Sequence, residues 1–155
     1  MSSAIEIEPI EKVSERQYVT FHVGKLLLGI DIHQVQEINC QLDVTVVPEA
    51  PKTVRGVINL RGEVTTVMDL RTILGLEPTA VTPSSRNLIV HGNGEATGLL
   101  VDNISDIIAL KSDEVNPTPA NVEGVEGRYF LGVHPLGSEI LVLLNLEEVL
   151  AGPNT

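Results

Sequence analysis

Tryptophan is absent from this chain of 155 residues, and only two Phe and two Tyr are present. That is too few aromatic faces for a platform that stacks bases or sugar rings. Cations are scarce too: ten Lys and Arg stand against 21 Asp and Glu, a formal charge of -11. Nucleic acid and anionic bilayers are gripped by Lys and Arg that release counterions, so both are poor partners for such a surface. One cysteine, Cys40, excludes an internal disulfide. No apolar run reaches the roughly 20 residues of a spanning helix, and the longest, "ILVLLNL" at 140–146, is interrupted by Asn145. No basic segment followed by an apolar stretch opens the chain, which predicts a cytoplasmic protein that meets membranes only through other proteins.

The residues of catalysis are also thin. His22, His33, His91 and His134 are scattered and form no HxxxH or HExxH pair that would put two imidazoles on one metal. Asp31 and His33 share a strand face by spacing, and an enzyme would need them, or His134, to converge in a pocket; a polar surface is the simpler account. No G-x-x-x-x-G-K-[ST] occurs, and "GNGEATG" at 92–98 lies between two strand-like runs, as a hairpin turn does, rather than opening a helix. Nothing beside Cys40 activates a thiol. The expectation is a protein with no cofactor, no metal and no enzymatic activity; a small β-barrel enzyme is the opposing alternative.

What the chain does contain is a series of short β-rich runs at 17–23, 25–32, 56–60, 63–70, 87–91, 97–104, 128–133 and 139–144. Turn residues at 22–25, 61–62, 92–95 and 136–138 join them as hairpins, which predicts an all-β barrel or sandwich with short helices. The Pro/Ser/Thr-rich stretch "EPTAVTPSSR" at 77–86 is the candidate boundary between halves. Residues 1–14 read as a flexible arm, 15–152 as one domain of two β-barrel subdomains at about 15–82 and 83–152, and 153–155 as a tail.

The halves resemble one another. "GIDIHQVQEI" from Gly29 and "GLLVDNISDI" from Gly98, offset by 69, match at Gly29/Gly98, Ile32/Val101, Val35/Ile104, Glu37/Asp106 and Ile38/Ile107. A second register, offset by 76, sets "VMDLRTILG" against "LLNLEEVLAG" and aligns Asp69 with Asn145, Leu70 with Leu146, Ile73 with Val149 and Leu74 with Leu150. In each copy an Asp or Asn stands at a helix N-cap, and Gly then Pro closes the turn. Two small related barrels follow, each with a thin core, so they should pack together and leave a groove between them.

Val35 and Ile104 are either ordinary core or the lining of that groove, where a partner helix would lay its apolar stripe. Arg61 occupies a hairpin turn from which its guanidinium can reach the Glu37 carboxylate, and a two-hydrogen-bond grip between them would clamp the first hairpin to the segment bearing Val35.

"GIDIHQVQEI", "VPEAPKTVRGVINLRGEVTTVMDLRTILG" and "GLLVDNISDIIAL" followed by "VNPTP" resemble, in order and spacing, the signatures of the CheW-like chemotaxis coupling proteins. The resemblance spans about 17–150 and implies two packed five-stranded SH3-like barrels. It also implies a non-enzymatic adaptor joining the cytoplasmic tips of chemoreceptors, the methyl-accepting chemotaxis proteins, to the regulatory domain of the histidine kinase CheA. Contacts that close rings in receptor arrays belong to the same expectation. Carried over by motif, Val35, Glu37, Gly56, Arg61 and Gly62 match positions used for partner binding or for holding those surfaces, and Ile104 and Ile107 match the opposite wall of a receptor groove. An adaptor of the same kind serving a chemosensory system with an output other than swimming fits these residues equally.

Overall fold

Runs of β-branched and aliphatic residues between turn formers become twelve strands in the computed structural model, which describes residues 14–92 and 94–153. β1 (Glu15–Val23) and β2 (Leu26–Asp31) are a hairpin, followed by a 3-10 turn (Ile32–Gln34), β3 (Val35–Asn39), β4 (Val54–Leu60), β5 (Glu63–Asp69) and helix α1 (Leu70–Ile73). Then come β6 (Arg86–Gly92), β7 (Glu95–Val101), β8 (Asn103–Lys111), the two-residue strands β9 (Asn121–Val122) and β10 (Val125–Glu126), β11 (Phe130–Leu136), β12 (Glu139–Leu144) and helix α2 (Leu146–Ala151). Two sheets of five strands result, ordered β11-β12-β2-β1-β8 and β3-β6-β7-β5-β4. Each is a partly open barrel. A single bridge carries the segment after β3 onto edge strand β4 (Thr45 with Val57), and another carries the segment after β8 onto edge strand β11 (Asn116 with Val133).

The fold class agrees with expectation, and three local readings do not. The run at 97–104 is not one strand: it breaks at Asp102 into β7 and β8. Residues 127–129 form a 3-10 turn, so β11 begins only at Phe130. The sheets also do not divide the chain at 82/83, because each draws strands from both sides of it. The reason is edge availability. β2 lies between β1 and β12, and β7 between β6 and β5, so neither offers a free edge to the strand that follows it. The chain therefore crosses at 32–34 and again at Asp102, and continues on an edge of the opposite sheet as β3 and β8. Of the expected arm and tail, residues 1–13 and 154–155 lie outside the described residues; Ser14 accepts a hydrogen bond from the Ser112 N–H at 2.8 Å.

The duplication survives this exchange intact. Leu143 pairs in parallel with Gly29 in one sheet, and Val67 with Gly98 in the other, so both sequence offsets describe one spatial relationship. A Cβ on Gly29 would come within 3.2 Å of Leu141 and Leu143, and one on Gly98 within 3.3 Å of Ile89 and Val67, which is why both central strands keep a glycine there. The second register extends back through the preceding hairpin, aligning Gly56 with Gly132 and Glu63 with Glu139. Both of those glycines sit at β-bulges.

Three apolar clusters hold the molecule together. Ile58, Leu60, Val67, Ile89 and Leu100 fill one barrel, and Leu27, Leu110, Leu141 and Leu143 the other. The largest lies between the sheets and joins residues of both, among them Phe21, Leu28, Leu70, Leu88, Leu99 and Leu144. Each barrel thus shares its largest core with its neighbour. The helices are capped as their sequences indicate: Asp69 accepts from the Arg71 N–H and Asn145 from the Glu148 N–H. Arg128 secures α2 by donating to Glu148 Oε1 at 2.8 Å and to the Gly152 carbonyl at 3.1 Å.

Candidate functional site

The β4–β5 turn consists of Arg61 and Gly62, with φ of 52° and 88°, the two-residue geometry whose twist suits a hairpin. Gly62 donates its N–H to Asn59 Oδ1 at 2.9 Å, which fixes the turn. From there Arg61 Nη1 reaches Glu37 Oε1 at 2.7 Å, and Glu37 Oε2 accepts from Asn39 Nδ2 at 3.1 Å. The expected Glu37–Arg61 bridge therefore exists, but through one nitrogen off the ideal hydrogen-bond direction rather than a two-bond fork. Arg61 remains 72% exposed, leaving most of its guanidinium facing solvent. It also lines an open, polar cleft of about 590 Å³ with Gln36, Glu63, Thr65, His91 and Glu95.

The repeat has no second bridge. Gly137 stands where Arg61 would be, and among the described residues Asp106, the counterpart of Glu37, makes no ion pair. Its strand is instead locked at a bulge, where the buried Thr20 hydroxyl bonds both the Asp106 N–H and carbonyl.

Gly56 is buried in β4, and a Cβ there would drive into the Thr45 carbonyl that bridges this strand. Its role is clearance. Val35 and Ile104 are both half-buried and pack against the shared core, so the core and groove readings each describe part of their surface. Ile107 is 55% exposed on edge strand β8, and its counterpart Ile38 is 40% exposed on edge strand β3. The structure brings Glu37, Arg61 and Gly62 together at one barrel end and places Ile104 and Ile107 on the opposite sheet.

Asp31 and His33 do contact, Oδ1 to Nδ1 at 3.1 Å, but His33 is 88% exposed and Arg16 holds the other carboxylate oxygen at 3.2 Å. His134 Nδ1 lies 2.8 Å from the Glu114 carbonyl oxygen. His134 thus has a partner of its own, apart from the Asp31–His33 pair, and the three do not converge. Among the described residues no group of three or more His, Cys, Asp or Glu is arranged to hold a metal, and no helix is long and apolar enough to cross a membrane.

Two polar networks were missed in the sequence. Asp69, 1% exposed, accepts from the Thr79 N–H at 2.9 Å, the Thr79 hydroxyl at 2.7 Å and Arg55 Nη1 at 3.4 Å, besides its cap. It thereby pins the 77–86 stretch to β5, and the cap motif alone hid that. Asp102 accepts from Arg71 Nε at 3.0 Å and Nη2, and from the Gly24 N–H at 2.9 Å. Burial pushes the Asp102 carboxyl up, but hydrogen bonds from Arg71 and Gly24 outweigh it and hold the group below its ordinary 3.8. "DLR" and "VD" carry these residues, with no local signal that they meet.

Two β-barrels sharing a core, with edge strands bearing exposed isoleucines and a turn-borne ion pair, define a scaffold class whose assets are surfaces. The comparisons agree: residues 17–153 match the CheW-like domain, and the chain belongs to that family. It is 33% identical over 136 residues to the chemotaxis protein CheW of Rhizobium meliloti, covering 86% of each chain. Identity to the chemotaxis protein CheW of Klebsiella aerogenes is 28% over 136 residues, covering 88% of this chain and 82% of that one. The crystal structure of the scaffolding protein TtCheW from Thermoanaerobacter tengcongensis superimposes with a TM-score of 0.80 at 26% identity, covering 94% of this chain and 93% of that one.

Proposed function

We propose that this member of the CheW family is a non-enzymatic adaptor coupling the cytoplasmic tips of chemoreceptors to the regulatory domain of the histidine kinase CheA, in the cytoplasm at membrane receptor arrays. The observation that carries the reading is the family match across 17–153, on a fold whose sequence-matched positions are surfaces and their supports. The half-buried Val35 and Ile104 and the exposed Ile107 suit the apolar stripe of a receptor helical hairpin. Arg61, Glu37, Gly56 and Gly62 form and support the end of the barrel that carries β3, β4 and β5, where edge strands and a hairpin turn suit the kinase. A coupler then transmits receptor state through contacts whose strength differs between conformations.

Pull-down against the host's receptors and CheA homologues tests this, with Ile107→Asp and Arg61→Ala as probes. Wild type should retain both partners, and each variant should lose one selectively. Failure of the wild-type chain to bind either a receptor-tip fragment or CheA would end the reading.

A further inference from the structure

The shared core between the barrels is large but non-directional, since apolar burial is proportional to area and does not dictate one relative orientation. Interdigitated packing restricts the orientation, and a directional polar contact across the barrels adds to it. Asp102 sits where the chain leaves β7 in one sheet to begin β8 in the other. Its carboxylate is gripped by two guanidinium nitrogens of Arg71 in α1, which follows β5 of the second sheet. The same carboxylate accepts the Gly24 N–H from the β1–β2 turn of the first sheet, at 2.9 Å. The Asp102 N–H donates to the His22 carbonyl at 3.0 Å, and the His22 ring in turn lies 3.0 Å from both Asn103 Oδ1 and Glu139 Oε2. One residue thus ties three segments drawn from both barrels. The equivalent point of the repeat is His33 at the other crossover, which faces solvent, and the equivalent of Arg71 is Glu147. Among the described residues, this polar clamp is found at one crossover and not at its repeat equivalent.

We propose that Asp102 is a positioning residue for coupling: through Arg71 and Gly24 it sets the angle of one barrel against the other, and so the geometry in which two bound partners are held. A forked Arg–carboxylate pair is the side-chain contact best suited to this, because its planar geometry specifies direction as well as attraction. The consequence for activity rests on the coupling function proposed above; the geometric part does not.

The test combines a distance and an activity. Spin labels on the exposed native Cys40 and on Ser138→Cys, one at each barrel, report the inter-barrel distance distribution. Asp102→Asn should broaden it, with Arg71→Lys, which keeps the charge but loses the fork, intermediate. Each variant should bind CheA alone within threefold of wild type, because Glu37 and Arg61 lie in one barrel, while binding of the receptor fragment, whose groove draws on β3 and β8 of different sheets, weakens and kinase activation in the three-component assembly falls at least fivefold for Asp102→Asn. A wild-type distribution in Asp102→Asn overturns the proposal, as does wild-type activation despite a broadened one. If the wild-type chain binds neither partner, the coupling reading fails while the distances still decide the clamp.

Discussion

Arg61 Nη1 lies 2.7 Å from Glu37 Oε1, so a residue that forms a hairpin turn also touches the strand across the barrel mouth. Arg61 holds a positive φ that costs a non-glycine residue about 1 kcal/mol, whereas Gly137 at the repeat position holds a φ of 64° without that cost. Arg61→Gly should therefore relieve turn strain while losing the ion pair. A double-mutant cycle of Glu37→Ala and Arg61→Ala, read by urea denaturation, should give a coupling of only about 0–1 kcal/mol, because Arg61 is largely solvated. Coupling in partner affinity should exceed that in stability.

Gly56, Gly132 and Gly62 separate two reasons for glycine. A Cβ on Gly56 would meet the Thr45 carbonyl and one on Gly132 would meet Val115, whereas Gly62 has open space and only a positive φ of 88°. Gly56→Ala and Gly132→Ala should each cost more than about 1 kcal/mol, and Gly62→Ala about 1 kcal/mol from strain alone. Thermal denaturation of the three variants checks the order.

Ile107 and Val35 should part company on stability. Ile107→Asp alters a side chain already 55% exposed, so stability should stay within about 0.5 kcal/mol while receptor binding falls. Val35→Asp places a carboxylate against the shared core and should lower both stability and binding. Chemical denaturation alongside a binding titration separates the two effects.

Acid sensitivity follows from Asp102 and Asp31. In Asp31, as in Asp102, burial raises the carboxyl, and hydrogen bonds, here from His33 and Arg16, outweigh it and leave it below the ordinary 3.8. A carboxylate depressed in the folded state binds fewer protons there than when unfolded, so it adds stability above its unfolded value. That contribution is fully present above about pH 5 and is lost as the pH falls through the depressed folded values, below about 4. Asp102→Asn should flatten this acid limb between about pH 5 and 2 in a series of denaturation midpoints.

Much of the fold was legible because it is written locally. Turn pairs such as Arg61–Gly62 and Gly137–Ser138, the caps Asp69 and Asn145, and the repeated Gly29 and Gly98 are each set by backbone conformation or close packing near one residue. The Glu37–Arg61 contact was also foreseeable, since a long guanidinium on a hairpin turn can reach the adjacent element.

The chain by itself determined an all-β architecture, its internal duplication and an acidic surface with few groups suited to chemistry, because period, turn residues and charge act over a few neighbours. Only the tertiary structure decided that the repeated units exchange strands, that Asp69 is a buried hub for Thr79 and Arg55, and that Asp102 binds Arg71 and Gly24 across the two barrels. Sheet edges and ion pairs between residues far apart in sequence depend on which strand finds a free edge. That competition is settled by packing in three dimensions and leaves no local trace.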